Sequence, residues 1–442
     1  MKYYSTNGKA PIADLHKAVV KGLAEDRGLY MPESIKQLPT EFFDTIETKT
    51  FQEIAYTVAD AFFGEDVDAE SLKKIVYDTL SFDCPVVKVT DNIYSLELFH
   101  GPTLAFKDVG ARFMARLLQY FIRQEKDHKQ VNVLVATSGD TGSAVANGFL
   151  GVDGIHVYVL YPKGKVSPIQ ECQFTTLGKN ITAIEVDGVF DDCQALVKNA
   201  FMDAELNQHM KLTSANSINV ARFLPQAFYY FNAYARMKEI VNCKPLVMCV
   251  PSGNFGNICA ALFGHAQGLP FKRFIAANNA NDIFYNYLQT GQYEPKASRQ
   301  TLANAMDVGD PSNFARIINL YSENGQLSPK ETHERITSLI SGATYSDDQI
   351  RQTMRLCYEN TGYILDPHGA CGYQALADGL QPEEIGVFCE TAHPAKFKEK
   401  VDDILNIDVD IPARLRAFML GKKRSTPMTK DFADFKQYLL SQ

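Results

Sequence analysis

At 442 residues the chain exceeds what one hydrophobic core comfortably supports, so two domains with some appended structure are expected. With 45% hydrophobic and 22% charged residues and no biased tract, it has the composition of an ordinary globular protein. A formal net charge of -8 argues against nucleic acid or a membrane surface as partner, since both need a broad excess of Lys and Arg, while leaving room for a small anion held by local donors.

The first stretch reads as helical. Leu15, Ala18, Val19, Gly22 and Leu23 recur at helical spacing over residues 13–24, and Gly28-Leu29-Tyr30-Met31-Pro32 then breaks the pattern as a turn. Amphipathic character returns over residues 51–63 and 72–80. From Val86 onward the rhythm changes. Apolar, β-branched runs at 131–135, 155–160, 181–186, 246–250, 273–277 and 385–389 each precede a helical stretch, at 143–149, 169–177, 192–201, 256–265, 282–288 and 394–405. Such alternation predicts an α/β fold with parallel sheets covered on both faces. Residues 205–245 read as mostly helical and mark a crossover between domains. The expected division is a mainly helical extension (1–85), two α/β domains (86–225 and 226–415) and a C-terminal tail (416–442).

Nine cysteines are scattered from Cys84 to Cys389 with no C-x-x-C spacing, which argues against zinc and thioredoxin-type motifs. Several lie in apolar runs, as small hydrophobes do in a reducing compartment. The first residues lack the apolar core of a secretory signal, and no apolar stretch is long enough to cross a bilayer, so a cytoplasmic protein is expected, with no metal.

In open α/β sheets ligands bind at the carboxyl ends of strands. Four such places have unusual chemistry. Val250-Pro251-Ser252-Gly253-Asn254-Phe255-Gly256-Asn257 follows a strand and opens a helix, so several backbone N–H groups and the helix dipole suit a phosphate. It is neither a P-loop nor the dinucleotide pattern G-x-G-x-x-G, and a ligand-free tight turn is the alternative. Thr137-Ser138-Gly139-Asp140-Thr141-Gly142 is dense in hydroxyls at another helix start, where it suits an anion or serves as an ordinary N-cap. Lys107, after Leu104-Ala105-Phe106, lies in apolar company; desolvation lowers a lysine's pKa and makes it a usable nucleophile and base. Thr391 and His393 stand at the end of the last strand, facing a ligand or capping the helix that begins near Pro394.

Together these segments resemble the threonine synthases, a branch of the fold-type II pyridoxal phosphate enzymes. The resemblance runs from Gly28-Leu29-Tyr30 through the segments 97–108, 137–142, 214–219, 251–257 and 304–308 to Thr391-Ala392-His393-Pro394-Ala395-Lys396-Phe397. It is most specific around Lys107 and over 391–397. It implies two open, twisted, mostly parallel sheets flanked by helices, in the manner of the tryptophan synthase β chain. By this resemblance, Lys107 would bond the aldehyde of pyridoxal 5'-phosphate, Gly253, Asn254, Phe255, Gly256 and Asn257 would cradle its phosphate, and Thr391 would bond the pyridine nitrogen. Asp140 stands where many relatives outside this branch carry an Asn that touches the cofactor's 3'-oxygen. The implied activity is conversion of O-phospho-L-homoserine and water to L-threonine and phosphate.

A hydroxyl at the pyridine nitrogen favours the protonated ring less than a carboxylate does, which suits an enzyme moving protons at both Cα and Cβ. Lys107 would act as base at Cα. Expulsion of phosphate needs donors and cations around it. The candidates are Thr137, Ser138 and Thr141, with Lys163, Asn216, Arg112 and Arg222, each of which has a structural reading as well. His100 and His393 read as structural, and Asp366-Pro367-His368-Gly369 as a turn into a helix. The competing readings are a serine/threonine dehydratase or O-acetylserine sulfhydrylase, disfavoured by the N-terminal extension, and a sensor that binds without catalysis, disfavoured by Lys107. A nicotinamide oxidoreductase is disfavoured by the missing glycine fingerprint. A monomer or homodimer is expected.

Overall fold

A computed structural model describes residues 1–127 and 129–442. In chain order its strands are β1 (Lys2–Ser5), β2 (Ala13–Asp14), β3 (Tyr30–Pro32), β4 (Val86–Lys88), β5 (Ile93–Glu97), β6 (Val131–Ala136), β7 (Ile155–Pro162), β8 (Ile181–Val186), β9 (Lys211–Ser214), β10 (Leu246–Pro251), β11 (Arg273–Asn278), β12 (Ile340–Thr344), β13 (Ile385–Glu390) and β14 (Thr426–Met428). They form two large sheets and one small one. The five-stranded sheet has the order β14-β8-β7-β6-β9, parallel throughout. The six-stranded sheet has the order β12-β11-β10-β13-β5-β4, parallel except for the edge strand β4.

Strands β6, β10 and β13 are buried at every residue. That is why their sequences are mostly apolar without alternation: helices cover both faces, and the few polar residues, Asn132 and Glu390, are buried with them. The fold class is α/β with parallel-rich sheets and helices, as the sequence implies.

Three differences from the sequence reading have a common cause. The turn at 28–32 contains β3, which pairs antiparallel with β1, while β1 also pairs with β2. The N-terminal region is therefore a small sheet as well as helices such as Phe51–Phe63 and Ala69–Thr79. Strand β9 interrupts the stretch read as helical. Strands β4 and β5, expected in the first α/β unit, pair with β13 and belong to the sheet of the later strands, and β14 of the C-terminal tail extends the five-stranded sheet beside β8. These strands are two to five residues long and held by distant partners, so they leave no periodicity to read.

The N-terminal helices brace the helix Lys107–Gln124. Phe63 packs on Phe113 at 5.1 Å between ring centroids, and Phe113 on Phe228 of the helix Ala227–Val241 at 5.7 Å. Buried Arg316 ties the small sheet to the centre: it donates to the carbonyls of Tyr30, Ser217 and Ile218 and to Asn313 Oδ1, and lies 4.1 Å from the centroid of the Phe223 ring.

Candidate active site

Strands β10, β13 and β5 are neighbours running in one direction, so their carboxyl ends share one edge. Each delivers a segment singled out in the sequence. Beyond β5 and β13 the two chains stay joined: Leu98 N donates to Glu390 O at 3.0 Å, Phe106 N to Thr391 O at 2.9 Å and His393 N to Leu104 O at 3.0 Å. Ala105 and Ala392 form an isolated antiparallel bridge. Lys107 and Thr391 are thereby fixed relative to one another by backbone bonds.

Lys107 is the first residue of its helix. Phe106 offers no side-chain cap; instead buried Asp108 accepts from Thr103 N at 2.9 Å and Thr103 Oγ1 at 2.6 Å, folding the preceding loop back on the helix start. Burial lowers the Lys107 amine to about 8, with Arg222 and Lys396 adding to the effect and Asp140 opposing it. An amine near that value is in part uncharged at neutral pH and so is able to attack a carbonyl or accept a proton.

The loop after β10 turns through Phe255 in the left-handed region, φ 64°, into the helix Gly256–Ala266. Buried Phe255 contacts Phe284 at 4.6 Å. The Asn side chains are engaged internally. Asn254 donates to Ser217 Oγ and accepts from Ser312 N, while Asn257 donates to Pro251 O and accepts from Ser252 Oγ and Ile258 N. They shape the loop, whereas the backbone N–H groups of residues 253–257 meet no protein acceptor among the described residues. A Cβ on Gly253 would stand 2.6 Å from Ala305 O, so only glycine fits between the loop and the 304–306 segment. This set of unpartnered donors at a helix start suits a phosphate.

The hydroxyl-rich loop follows β6 in the five-stranded sheet. Thr137 Oγ1 accepts from Gly139 N at 2.9 Å and Gly142 N at 2.8 Å, so this buried hydroxyl organises the loop from within. By contrast the hydroxyls of Ser138 and Thr141 and the N–H groups of Ser138, Asp140 and Thr141 have no protein partner among the described residues. Asp140 begins the helix Asp140–Phe149. Its buried carboxylate pairs with Lys396 at 2.6 Å and accepts from Gln170 at 2.9 Å. Burial by itself would raise this carboxyl; Lys396 and Lys107 outweigh it and hold it at about 2.

The Thr391 hydroxyl donates to no protein group among the described residues. Behind it is a network that sequence reading missed. Glu390 Oε1 accepts from Asp366 N at 2.7 Å, Asp366 pairs with His368 Nδ1 at 2.5 Å, and His368 Nε2 accepts from Ala305 N at 3.1 Å. Since Nε2 accepts, the ring proton sits on Nδ1. Burial raises the Glu390 carboxyl well above the ordinary range, and Asp366 adds to that. The network connects the ground beneath Thr391 to the segment that backs Gly253.

Other residues singled out in the sequence are placed as follows. Arg222 is buried and braces backbone, donating to Ala215 O at 2.6 Å and Lys107 O at 3.4 Å. The Arg112 guanidinium donates to the Asp78 and Thr79 carbonyls and to Ser81 Oγ, on the N-terminal side of its helix. Lys163 is exposed in the turn after β7. Asn216, half-buried, leans on Ala136 O at 3.4 Å beside the hydroxyl loop. His100 is exposed and paired with Glu97, and His393 Nδ1 accepts from Ala395 N as a cap, with burial lowering its ring to about 4. The strongest missed residue is Lys396. Its signal lay in the 391–397 segment, but its partner Asp140 comes from the other sheet.

The chain matches the family model described as "Pyridoxal-phosphate dependent enzyme" over residues 85–389, "Threonine synthase N terminus" over 2–80 and "Threonine synthase, C-terminal" over 369–439. A curated threonine synthase of Haemophilus influenzae is 43% identical over 440 residues, covering 100% of both chains. The crystal structure of threonine synthase from Escherichia coli superposes with a TM-score of 0.92 at 41% identity, covering 100% of both chains. A pyridoxal-phosphate-bound threonine synthase from Brucella melitensis gives 0.91 at 34% identity, covering 100% of this chain and 99% of that one.

Proposed function

The chain belongs to the threonine synthase family of pyridoxal-phosphate-dependent enzymes, and from that premise we propose that it converts O-phospho-L-homoserine and water to L-threonine and phosphate with Lys107 as its essential amine. The observation that carries the site assignment is the meeting of a desolvated lysine with a ring of unpartnered backbone donors on one sheet edge. Those residues fit the cofactor. The N–H groups of Gly253, Asn254, Phe255, Gly256 and Asn257 would hold its phosphate, Lys107 its aldehyde carbon, and Thr391 its ring nitrogen through a neutral hydroxyl.

When bound, pyridoxal phosphate supplies an aldehyde that joins amines and a ring that stabilises negative charge developing on an amino acid at Cα and Cβ. The rest is the work of the chain. Lys107 would take the proton from Cα; its lowered basicity leaves it in part uncharged near neutral pH. The hydroxyls of Ser138 and Thr141 and the free N–H groups at that helix start hold the substrate's anionic group, and help phosphate depart from Cγ as a second proton leaves Cβ. Return of a proton to Cγ, addition of water's hydroxyl at Cβ and return of a proton from Lys107 to Cα complete threonine. Thr137 shapes this loop, and Arg222 and Arg112 brace the Lys107 helix through backbone carbonyls. Nine free cysteines, seven of them buried, support the cytoplasm as the compartment. Among the described residues no helix is long and apolar enough to cross a membrane.

The deciding experiment supplies purified protein with pyridoxal phosphate and O-phospho-L-homoserine, then measures threonine and phosphate. Equal amounts of both are expected, and Lys107→Ala is expected to lose about 10³-fold or more of the rate while keeping the wild-type circular dichroism. Ketoacid in place of threonine, or an active Lys107→Ala variant, overturns the reading.

A further inference from the structure

Lys396 is a lysine with no exposure of its side chain, held between three segments. Its ammonium meets Asp140 Oδ1 at 2.6 Å on the hydroxyl loop of the five-stranded sheet. It donates to Thr103 O at 2.8 Å, in the loop that leads to Lys107. Its own segment follows Thr391 on the six-stranded sheet, and its carbonyl accepts from Ser167 Oγ at 3.3 Å. A buried ion pair of this kind gains little stability over an apolar pair of equal volume, so its position calls for another account. Gln170 supplies the Asp140 carboxylate with one neutral donor, and Lys396 supplies its cation.

We propose that Lys396 is a positioning residue for the reaction: by occupying Asp140 it keeps that carboxylate from pairing with Lys107, and so leaves the Lys107 amine free to attack. The inference rests on the reading of Lys107 given above. The charged groups that act on Lys107 come from three elements: Asp140 on the helix Asp140–Phe149, Arg222, which also donates to Lys107 O at 3.4 Å, on the helix Val220–Phe223, and Lys396 on the segment after β13. Asp108, next in sequence, is turned to Thr103. The two cations oppose a proton on Lys107, and the carboxylate favours one. Replacing Lys396 by a neutral residue removes one cation and frees a buried carboxylate, which then finds its counter-ion in Lys107. Replacing Asp140 as well removes both members of the pair and takes away the reason for the shift.

The test follows uptake of pyridoxal phosphate by the apoprotein against pH, from the absorbance that develops when the Lys107 amine bonds the aldehyde, with no substrate present. Borohydride reduction and mass analysis of the wild type first show whether Lys107 carries the adduct; an adduct elsewhere overturns the reading of Lys107 and this inference with it. With the adduct on Lys107, Lys396→Met is expected to raise the midpoint of uptake by about one pH unit or more and to slow uptake at pH 7 about tenfold. Lys396→Met combined with Asp140→Asn is expected to bring the midpoint back to the wild-type value. Asp140→Asn alone, which keeps both cations, is expected to lower it, and this arm decides the matter if Lys396→Met does not fold. Midpoints that stay fixed in Lys396→Met or Asp140→Asn, or an elevated one that persists in the double variant, overturn the proposal while leaving Lys107 in its role.

Discussion

Gly253 illustrates how little room the site leaves. A methyl group there would press on Ala305 O at 2.6 Å and on Met306 Cα at 2.8 Å, and neither backbone atom can swing away as a side-chain end could. Overpacking of this order costs about 1–3 kcal/mol. Gly253→Ala is therefore expected to weaken cofactor binding about tenfold or more, read by titrating apoprotein with pyridoxal phosphate; unchanged affinity would show that the loop yields. At this scale the sequence revealed residues whose type is unusual for their surroundings. Lys107 amid apolar neighbours, glycines after a strand and a run of hydroxyls all carry local signals. Glu390 and His368 carry none, and Lys396 stands in a specific segment without showing its own role, because each depends on a partner remote in sequence: Asp366, the Ala305 amide and Asp140. Burial of a charged side chain becomes visible only after folding has chosen its neighbours.

Among the elements, legibility followed local pattern and not length: the long helices Lys107–Gln124 and Asp347–Thr361 went unread. The strand read at 181–186 is β8 itself, and the helix read at 51–63 is the helix Phe51–Phe63, whose start is fixed by a reciprocal cap between Thr50 and Glu53. The helix Gly256–Ala266 starts differently, without a side-chain cap and from a left-handed Phe255. That conformation costs an L-residue about 1–2 kcal/mol, yet the buried ring returns more, since losing a core Phe costs about 3–5 kcal/mol. Phe255→Gly should thus relieve strain and still lower stability by about 2–3 kcal/mol in denaturant unfolding. A stabilised variant would mean that the ring against Phe284 contributes little.

For the molecule as a whole, pH dependence follows from which carboxyls folding perturbs. Glu384, held by Arg273 through two contacts of 2.6 and 3.0 Å, lies at about 2, as does Asp140. Unfolded carboxyls titrate near 4. Depressed folded values mean that these groups stabilise the fold above about pH 4 and lose that contribution as pH falls towards about 2. Glu390, displaced in the opposite direction, offsets part of it. The urea midpoint of the wild type is expected to fall between about pH 5 and pH 3. Glu384→Gln should lower the midpoint at neutral pH and flatten that acid limb; parallel limbs would refute the assignment. Arg316 acts over a comparable distance. Arg316→Met strands several buried carbonyls, each worth about 1–3 kcal/mol, and should release the N-terminal sheet from the centre, seen as faster amide exchange at residues 2–5 and at Tyr30 and Met31.

The position of β13 has a consequence for synthesis. This strand lies between β5 and β10 yet is made near the end of the chain. At a translation rate of about 5–20 residues per second, the nascent polypeptide exposes two bare strand edges for roughly ten seconds or more before their shared neighbour leaves the ribosome. The wall that carries both Lys107 and the phosphate loop is zipped by its last-made piece, so a messenger truncated before codon 385 yields a product that aggregates instead of a partial enzyme.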